Sequence, residues 1–445
     1  MVWNKVKIST FLKERNNRFK PEDANKLGLK RIEKIDFSGN LYIVEKQTNT
    51  GMILVRSGDL VISGINVEKG ALAVYGGQED VLATIHYSSY EYDKNKIDIE
   101  YLKWFLKSNV FRSILLEEVG GGIKTELKPK RFLSLEVYLP DLQTQIEMRN
   151  KILAVEQEIG ELQIRIKQEE DYLTKLKEAI LQEAVQGKLV EQNSNDEPAQ
   201  ILLEKIRTEK EQLIKEKKFQ KPKEKGIILE NEFNLEIPKT WTLAKLVDLC
   251  FVTKLAGFEY TKYVNLKDVG EVPVIRAQNV KKRYIDKTNL KYIDLKTSEL
   301  LHRCALTKES LLVTFIGAGI GDVALFNEDK RWHLAPNVAK LEPFNNFELK
   351  ILPDYLLYYL LSETGNKEIF KSSKSTAQPS LSMGTIRNII IPLPPLAEQQ
   401  RIVRKVEELM AYCDVLEQEI RKSKQQAEQL MQSVLKEAFE QKKGL

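Results

Sequence analysis

The chain repeats its own sequence at a fixed interval. The segment LPDLQTQIEMRNKI at residues 139–152 returns as LPPLAEQQRIVRKV at residues 393–406, and YLKWFLKSN at Tyr101 returns as YLLYYLLSE at Tyr355. Both pairs lie 254 residues apart, counted from Leu139 to Leu393 or from Tyr101 to Tyr355, and no gap is needed between them. A repeat of this length indicates two copies of one structural unit.

The interval changes upstream, in the first part of each copy. We match DVLATIHY near Val81 with RWHLAPNVAK near Trp332, and Trp3 with Trp241, and neither match has the 254-residue spacing. Each copy therefore has a variable head and a tail of fixed length.

The tails predict two long helices. Apolar residues recur every seven positions, with further apolar residues at intervening positions, which is typical of a coiled-coil seam. The predicted seam consists of Ile152, Val155, Ile159, Leu162, Ile166, Leu173, Leu176 and Ile180 in the first tail and of Val406, Leu409, Cys413, Leu416, Ile420, Leu430 and Val434 in the second. Matching registers favour an antiparallel coiled coil with a pseudo-two-fold axis over helices that each pack on their own domain.

The heads predict an α+β fold, because short β-branched and aromatic runs alternate with Gly, Asn and Lys turns around one helix. We expect heads at residues 1–140 and 233–395, helices at 141–190 and 396–445, and a charged helical linker at 191–232. In that linker Asp196 could cap a helix that has Pro198 in its first turn and ends near Lys218. The Lys-rich end after it suits a solvated linker better than a phosphate contact.

Composition limits the function classes. The chain has 445 residues, and 69 Lys+Arg against 64 Asp+Glu leave a net charge of only +5, so any DNA affinity must come from local basic patches. Three cysteines and three histidines lack disulfide or zinc spacing. Without a recognisable signal peptide or membrane span, we expect a cytoplasmic protein with no metal and no membrane partner.

Two kinds of motif could indicate a catalytic site. The glycines of FIGAGIGD, from Gly317 to Gly321, could hold S-adenosylmethionine, but the next residues, DVALFNED, continue as a strand, which favours a β-turn. Asp141 and Asp354 follow prolines as in a nuclease motif, but each comes just before a predicted helix, which favours helix initiation. We therefore predict a non-catalytic chain.

Arg, Gln, Asn and Lys in turns suit DNA contacts, because Arg can bind guanine, Gln and Asn can bind adenine, and Lys neutralises phosphate. A hydrophilic hairpin without ligand is the alternative. The candidates in VIRAQNVKKRYID of the second head and GLKRIEKID of the first are Arg276, Gln278, Asn279, Lys281, Lys282, Arg283, Lys30, Arg31 and Lys34. Those in the loops after the helix of each head are Lys124, Thr125, Lys374, Ser375 and Gln378.

The segment IPLPPLAEQQRIVRKVEEL resembles the tail of the specificity subunits of type I restriction-modification systems, as does LKEAILQEAVQGKLVEQNSNDEPAQILLEKIRTEKEQL after the first helix. The resemblance implies that each head is a target-recognition domain that binds one half of a split double-stranded DNA site. It implies that the helices set the gap and dock two methyltransferase subunits, which carry S-adenosylmethionine, and that restriction subunits join and use ATP and Mg²⁺. A stand-alone methyltransferase and a coiled-coil protein adaptor are the alternatives.

Overall fold

A computed structural model describes residues 3–66, 69–119, 127–216, 228, 233, 235–317, 319–371 and 381–439. It divides into two compact units, one made of Met1–Gln168 with Ile420–Leu445 and the other of Glu169–Glu419. Each unit holds one head and a segment of each long helix. Among the described residues, no helix has the length and apolar character needed to cross a membrane.

The first unit begins with the strands and helices of the first head. They are β1 (Asn4–Lys7), β2 (Leu12–Glu14), β3 (Arg18–Phe19), α1 (Pro21–Lys26), β4 (Arg31–Ile35), β5 (Leu41–Val44), β6 (Met52–Val55), β7 (Leu60–Ser63), β8 (Leu72–Val74), β9 (Val81–Thr84), β10 (Tyr87–Tyr92), α2 (Ile99–Lys107), α3 (Asn109–Val119), α4 (Pro129–Ser134), β11 (Glu136–Leu139) and the long helix α5 (Leu142–Val185).

The second unit continues from the C-terminal part of α5. Its elements are α6 (Ala199–Lys215), β12 (Thr242–Lys245), α7 (Leu246–Leu249), β13 (Cys250–Lys254), α8 (Gly257–Tyr263), β14 (Val272–Ile275), β15 (Lys291–Ile293), α9 (Leu295–Leu300), β16 (Ala305–Leu306), β17 (Ser310–Thr314), β18 (Val323–Phe326), β19 (Trp332–Leu334), β20 (Val338–Pro343), α10 (Pro353–Leu361), α11 (Glu363–Phe370), α12 (Met383–Arg387), β21 (Ile390–Leu393) and the long helix α13 (Leu396–Phe439).

The two heads have the same strand topology. The first has sheets ordered β1-β11, β2-β10-β7-β8 and β3-β6-β9-β4-β5, and the second has β12-β21, β13-β20-β17-β18 and β15-β14-β19-β16. Among the described strands, each head contains one parallel pair, β4 with β9 and β14 with β19, and the first head adds β3 at a sheet edge. The α+β fold with an internal repeat is therefore confirmed.

Strand register also supports the upstream matches. Asn4 pairs with Leu139 as Thr242 pairs with Leu393, so Trp3 and Trp241 each come just before equivalent strands. The stretches near Val81 and Trp332 form β9 and β19, which have the same neighbours. The two heads differ most between β4 and β5, where residues 36–40 correspond to residues 276–290 of the second head.

The repeated LPxLxxQ motif starts each long helix with the same hydrogen bonds. The Gln145 side chain accepts a bond from the backbone N–H of Asp98 (2.9 Å) and donates to the carbonyls of Pro140 (2.9 Å) and Lys96 (3.1 Å). Gln399 has partners that lie 254 residues later in each case, which are Leu352 (2.9 Å), Pro394 (3.0 Å) and Lys350 (3.5 Å). Both glutamines are buried, so each one satisfies backbone groups that would otherwise lack partners.

In the first unit, the end of α13 enters the core of the first head. Phe439 is 1% exposed, and its ring centroid lies 5.3 Å from that of Tyr101 and 5.7 Å from that of Phe105, both on α2. Leu435 and Ala438 join the same cluster as Ile152 of α5. The N-terminal part of α5 thus packs with the C-terminal part of α13, which is an antiparallel arrangement.

The second unit has the reciprocal arrangement. Near the end of α5, the Gln182 side chain donates to the Thr364 hydroxyl (2.8 Å) and accepts from the Thr364 N–H (3.1 Å), which ties it to α11. Lys177 of α5 forms ion pairs with Glu417 (2.7 Å) and Asp414 (3.4 Å) of α13. The C-terminal part of α5 therefore pairs with the N-terminal part of α13, and the predicted antiparallel pairing holds in both units.

The predicted seam needs a correction. The residues that recur every seven positions are buried or half-buried; they are Ile152, Ile159, Ile166, Leu173, Ile180, Val406, Cys413, Ile420 and Val434. At the intervening positions Val155, Leu162 and Leu409 are half-buried, while Leu176, Leu416 and Leu430 are 45%, 50% and 47% exposed. The prediction is wrong for the last three, because the helix pair covers a single buried stripe and leaves these leucines to solvent.

The linker helix α6 is part of the second unit. Its Glu209 is 3% exposed, forms an ion pair with Lys350 (2.8 Å) and accepts bonds from the N–H and side-chain amide of Asn346 (2.7 and 2.9 Å). Asp196 pairs with Arg401 (2.7 Å) instead of capping α6, which begins at Ala199 after Pro198. The prediction of a charged helical linker is therefore incomplete, because α6 buries one face on the second head.

Candidate nucleic-acid interface

The hairpin between β14 and β15 carries most of the residues predicted to bind DNA in the second head. Its shape depends on Asn279, which is 1% exposed. The Asn279 side chain accepts from the Arg276 N–H (3.1 Å) and donates to the carbonyls of Asp286 (2.9 Å) and Thr288 (3.3 Å). The prediction that Asn279 contacts a base is therefore wrong, because its amide is buried and hydrogen-bonded to the hairpin backbone.

The other predicted residues of this hairpin are divided between internal contacts and solvent. Arg276 is half-buried and donates to the Asn289 carbonyl (2.5 Å). Lys281 is half-buried near the carboxylate of Asp286. Gln278 and Lys282 are exposed, and the described part of the chain gives neither side chain a partner. These two side chains are available to a ligand.

Arg283 lies at the turn of the hairpin, with a φ of 77° that is uncommon for a residue other than glycine. Its N–H donates to the Val323 carbonyl of β18 (2.9 Å). Burial raises the pKa of Tyr358 on α10 to about 12, and the Arg283 guanidinium is close enough to act in the opposite direction. Although Arg283 is exposed, its backbone hydrogen bond ties the hairpin turn to β18.

In the first head the corresponding hairpin joins β4 and β5. Lys30 is exposed just before β4, and Lys34 is exposed with its Nζ 5.7 Å from the ring centroid of Tyr42. Arg31 is half-buried, and its Nε has no partner among the described groups. Hydrogen bonds from Asn40, its side chain first, hold the pKa of Asp36 down at about 2, so this turn carries a carboxylate.

Exposed aromatic residues lie on the same hairpins, and none of them is among the candidates chosen by charge and amide chemistry. Phe37 is 58% exposed, Tyr42 is 50% exposed and Tyr284 is 60% exposed. Lys69 approaches the Phe37 ring with its Nζ 5.8 Å from the centroid. An aromatic residue inside a polar turn is the sequence signal that could have indicated Phe37, since a ring exposed there can stack on a nucleotide base.

A second hairpin joins this surface in each head. Leu127 N–H donates to the Gly64 carbonyl (2.8 Å), and Leu381 N–H donates to the Phe315 carbonyl (3.0 Å). These contacts place the C-terminal ends of the loops predicted to bind DNA next to the β7–β8 and β17–β18 turns. The loop residues themselves, Lys124, Thr125, Lys374, Ser375 and Gln378, lie outside the described residues.

The glycine segment is the turn of a β-hairpin, as its continuation as a strand predicted. Val313 of β17 pairs with Val323 of β18, and Gly321 N–H donates to the Thr314 carbonyl (2.9 Å). Gly317 and Gly321 have φ values of 115° and 84°, which favour glycine. A strand follows the glycines instead of the helix that a phosphate-cradling loop requires, so the geometry does not favour the stand-alone methyltransferase.

Asp141 and Asp354 lie at helix starts. The carboxylate of Asp141 accepts bonds from the N–H (2.9 Å) and hydroxyl (3.0 Å) of Thr144, and the hydrogen bonds from Thr144 lower its pKa. Asp354 is in the first turn of α10, and burial raises its pKa. The described residues contain no group of three or more His, Cys, Asp or Glu side chains that could hold a metal ion.

Comparison with known proteins points to one family. The sequence model described as type I restriction modification DNA specificity domain matches residues 238–424. The chain is 26% identical over 302 residues to the EcoBI specificity subunit of Escherichia coli, which covers 68% of this chain and 57% of that protein. It is 23% identical over 344 residues to the EcoKI specificity subunit of Escherichia coli K12, and this match covers 76% of this chain and 64% of that protein.

The matched part of the chain thus spans less than two thirds of the length of these relatives. Two solved structures share the fold along nearly the whole chain, each at 14% identity. A chain from a type I R-M system gives a TM-score of 0.66, and the match covers 98% of this chain and 97% of that one. The HsdS subunit of Thermoanaerobacter tengcongensis gives a TM-score of 0.52, and the match covers 98% of this chain and 96% of that subunit. By the domain match and these relatives, this chain is similar to the specificity subunits of type I restriction-modification systems.

Proposed function

We propose that this chain is the sequence-specific DNA-recognition subunit of a type I restriction-modification complex. Residues 1–140 and 233–395 would be the target-recognition domains, and each would read one half of a bipartite double-stranded DNA site. The observation that carries the proposal is the shared strand order of two heads whose β4–β5 and β14–β15 hairpins differ in length and side chains. Two copies of one scaffold with different exposed hairpins suit two different half-sites.

The exposed residues of the two equivalent hairpins support DNA as the ligand. Gln278 can make paired hydrogen bonds to adenine, while Lys282 and Lys34 can neutralise phosphates. Tyr284 and Phe37 offer exposed rings beside these cations. Specific DNA interfaces combine such base contacts with phosphate contacts, which position the protein on the duplex.

The long helices would set the gap and dock methyltransferase subunits. Within the second unit, apolar side chains of α5 and α13 remain exposed although the helices are paired. They are Tyr172 (67%), Leu176 (45%), Tyr412 (63%), Val415 (57%) and Leu416 (50%). Exposed apolar surface of this kind is typical of a protein–protein interface. S-adenosylmethionine would bind to the methyltransferase subunits, and ATP and Mg²⁺ to restriction subunits, so this chain would perform no chemistry itself.

Methylome sequencing of cells that express this chain with its methyltransferase subunit tests the proposal. We expect one methylated motif with two fixed half-sites and an unread gap. Cells with the methyltransferase subunit alone are the control and should lack the motif. Continuous or scattered methylation contradicts the proposal, and an absence of sequence-dependent, salt-sensitive DNA binding would favour a protein adaptor.

Gln278→Ala sharpens this test at one position. If Gln278 contacts a base, the variant loses about 1–3 kcal/mol of binding free energy and accepts other bases at one position of the second half-site. Gln418→Ala, on an exposed part of α13, is the matched control and should leave the motif unchanged. An unchanged motif in Gln278→Ala removes this residue from the base contacts.

A further inference from the structure

We propose that the ring of Phe37 recognises the C5-methyl group of a thymine in the half-site bound by the first head, so that Phe37 is a specificity-determining residue. The inference rests on the proposed function and deepens it. It assigns an apolar contact with a base to the first hairpin, whereas Gln278 of the second hairpin suits hydrogen bonds to a base.

The β4–β5 turn that carries Phe37 is shaped by the carboxylate of Asp36. This carboxylate accepts bonds from the backbone N–H groups of Ser38 (3.0 Å) and Asn40 (2.8 Å). It also accepts bonds from the Asn40 side-chain amide (2.9 Å) and the Tyr42 hydroxyl (3.2 Å). Four bonds to one carboxylate give the turn a defined shape, and they engage the acidic group in the turn itself.

The turn also lies directly against the backbone of its own head. A Cβ atom added at Gly70, in the β7–β8 turn, would lie 2.9 Å from the carbonyl oxygen of Phe37. A Cβ atom added at Gly39 would lie 2.8 Å from the carbonyl oxygen of Leu72 on β8. Such an approach needs glycine, because any side chain would separate the two segments. The position of Phe37 is therefore set by backbone packing before any ligand binds.

This arrangement leaves the Phe37 ring at the surface beside cations. The ring is 58% exposed, and the exposed Lys69 places its Nζ 5.8 Å from the ring centroid. Lys34 is exposed on β4 of the same hairpin. Lysines can neutralise phosphates on either side of a base pair, while the ring needs an apolar partner. The hairpin thus suits a polyanion that presents an apolar group among polar edges.

Duplex DNA offers two kinds of apolar surface to such a ring. The faces of the bases are covered by stacking, and a side chain reaches them only by forcing two base pairs apart. The C5-methyl group of thymine projects into the major groove, which admits a two-stranded β-ribbon such as β4–β5. Because the methyl group is reached without distortion of the duplex and marks thymine alone, it is the partner that we assign to Phe37.

Replacement of thymine by uracil tests the contact, because it removes the methyl group and keeps every hydrogen-bonding group of the base. The full chain in complex with its methyltransferase subunit is titrated with duplexes that contain the methylated motif. Each thymine of the motif is replaced in turn, on both strands. We expect one position at which uracil weakens binding by the wild type about three- to fivefold, the effect of one buried methyl group. Phe37→Ala should bind the thymine and uracil duplexes equally at that position.

Leu116→Ala is the matched control, since Leu116 lies on α3 of the same head and is 59% exposed. This variant should keep the wild-type response to uracil at every position. Phe37→Leu retains an apolar side chain and should keep part of the preference for thymine. Thermal unfolding of each variant separates recognition from folding, because a merely structural role of Phe37 would lower Tm and weaken binding of all duplexes equally.

The result that overturns the inference is equally specific. If uracil has the same effect on the wild type and on Phe37→Ala at every thymine, Phe37 reads no methyl group. If Phe37→Ala then also abolishes a bend of the bound duplex, measured by energy transfer between its ends, the ring inserts between base pairs instead. A wild-type complex without preference for a bipartite site refutes the proposed function itself, whereas a bipartite motif without coupling between Phe37 and a methyl group refutes this inference alone.

Discussion

At the scale of single residues, the repeat preserves a bonding pattern as well as letters. Gln145 and Gln399 each connect the start of a long helix to the backbone just before α2 or α10. A glutamine suits this role because one amide both accepts and donates, so it can satisfy an N–H and two carbonyls at once. The sequence indicated which residues repeat, but the partners became visible only in the fold.

Gln399→Leu should destabilise the second unit by about 2–4 kcal/mol, because the Leu352 N–H and two carbonyls would lose their partner in a buried place. Chemical unfolding followed by circular dichroism measures the change. Gln143→Leu is the control, since Gln143 is exposed and its side chain donates to Glu147 (3.1 Å), and its effect should stay within about 0.5 kcal/mol. Equal unfolding midpoints for the two variants would contradict the assigned role.

At the scale of elements, the long helices pair with each other through one set of residues and pack into the heads through another. Their buried stripe pairs α5 with α13, and their last turns enter the heads, with Phe439 in the first unit and Ala184 and Val185 in the second, all fully buried or nearly so. The seven-residue spacing predicted the stripe. It could not show that Leu176, Leu416 and Leu430 stay exposed, because a heptad pattern records which side chains are apolar and not which partner covers them.

Phe439→Ala should destabilise the first unit by about 3–5 kcal/mol, because it leaves a cavity between α13 and the aromatic residues of α2. Leu430→Ala, on the same helix but 47% exposed, should cost less than about 1 kcal/mol. Thermal unfolding of both variants makes the comparison. If Leu430→Ala lowers the free energy of unfolding as much as Phe439→Ala does, then the intervening positions belong to the seam as predicted and the correction is wrong.

At the scale of the whole molecule, the proposed function divides recognition between heads and helices. The heads share a topology and differ in their hairpins, while the helices keep one length in both copies, Leu142–Val185 and Leu396–Phe439. Base identity would then depend on the hairpins and gap length on the helices. This division can be tested without knowledge of any single DNA contact.

Insertion of four residues after both Leu176 and Leu430 should change the gap in the methylated motif, or abolish methylation, while any remaining half-sites keep their sequence. The insertion lengthens each helix by about 6 Å at 1.5 Å per residue. The same insertion after Ser194, in the exposed segment between α5 and α6, lengthens neither helix and should leave the motif intact. Methylome sequencing reads both outcomes, and altered half-sites with an unchanged gap would disprove the division.

The sequence by itself determined the duplication, the two long helices, the α+β heads and the turn at the glycines. Periodicity, repeat spacing and turn residues are local properties, so they can be recognised without knowing what each segment contacts. The tertiary structure decided which side chains face inward. Asn279 is turned into its hairpin, α6 is docked through Glu209 onto Lys350, and the backbone of Arg283 is bonded to Val323 of β18. Each of these outcomes depends on a partner distant in the sequence or on the local fold of the chain, and residue type alone does not encode either one.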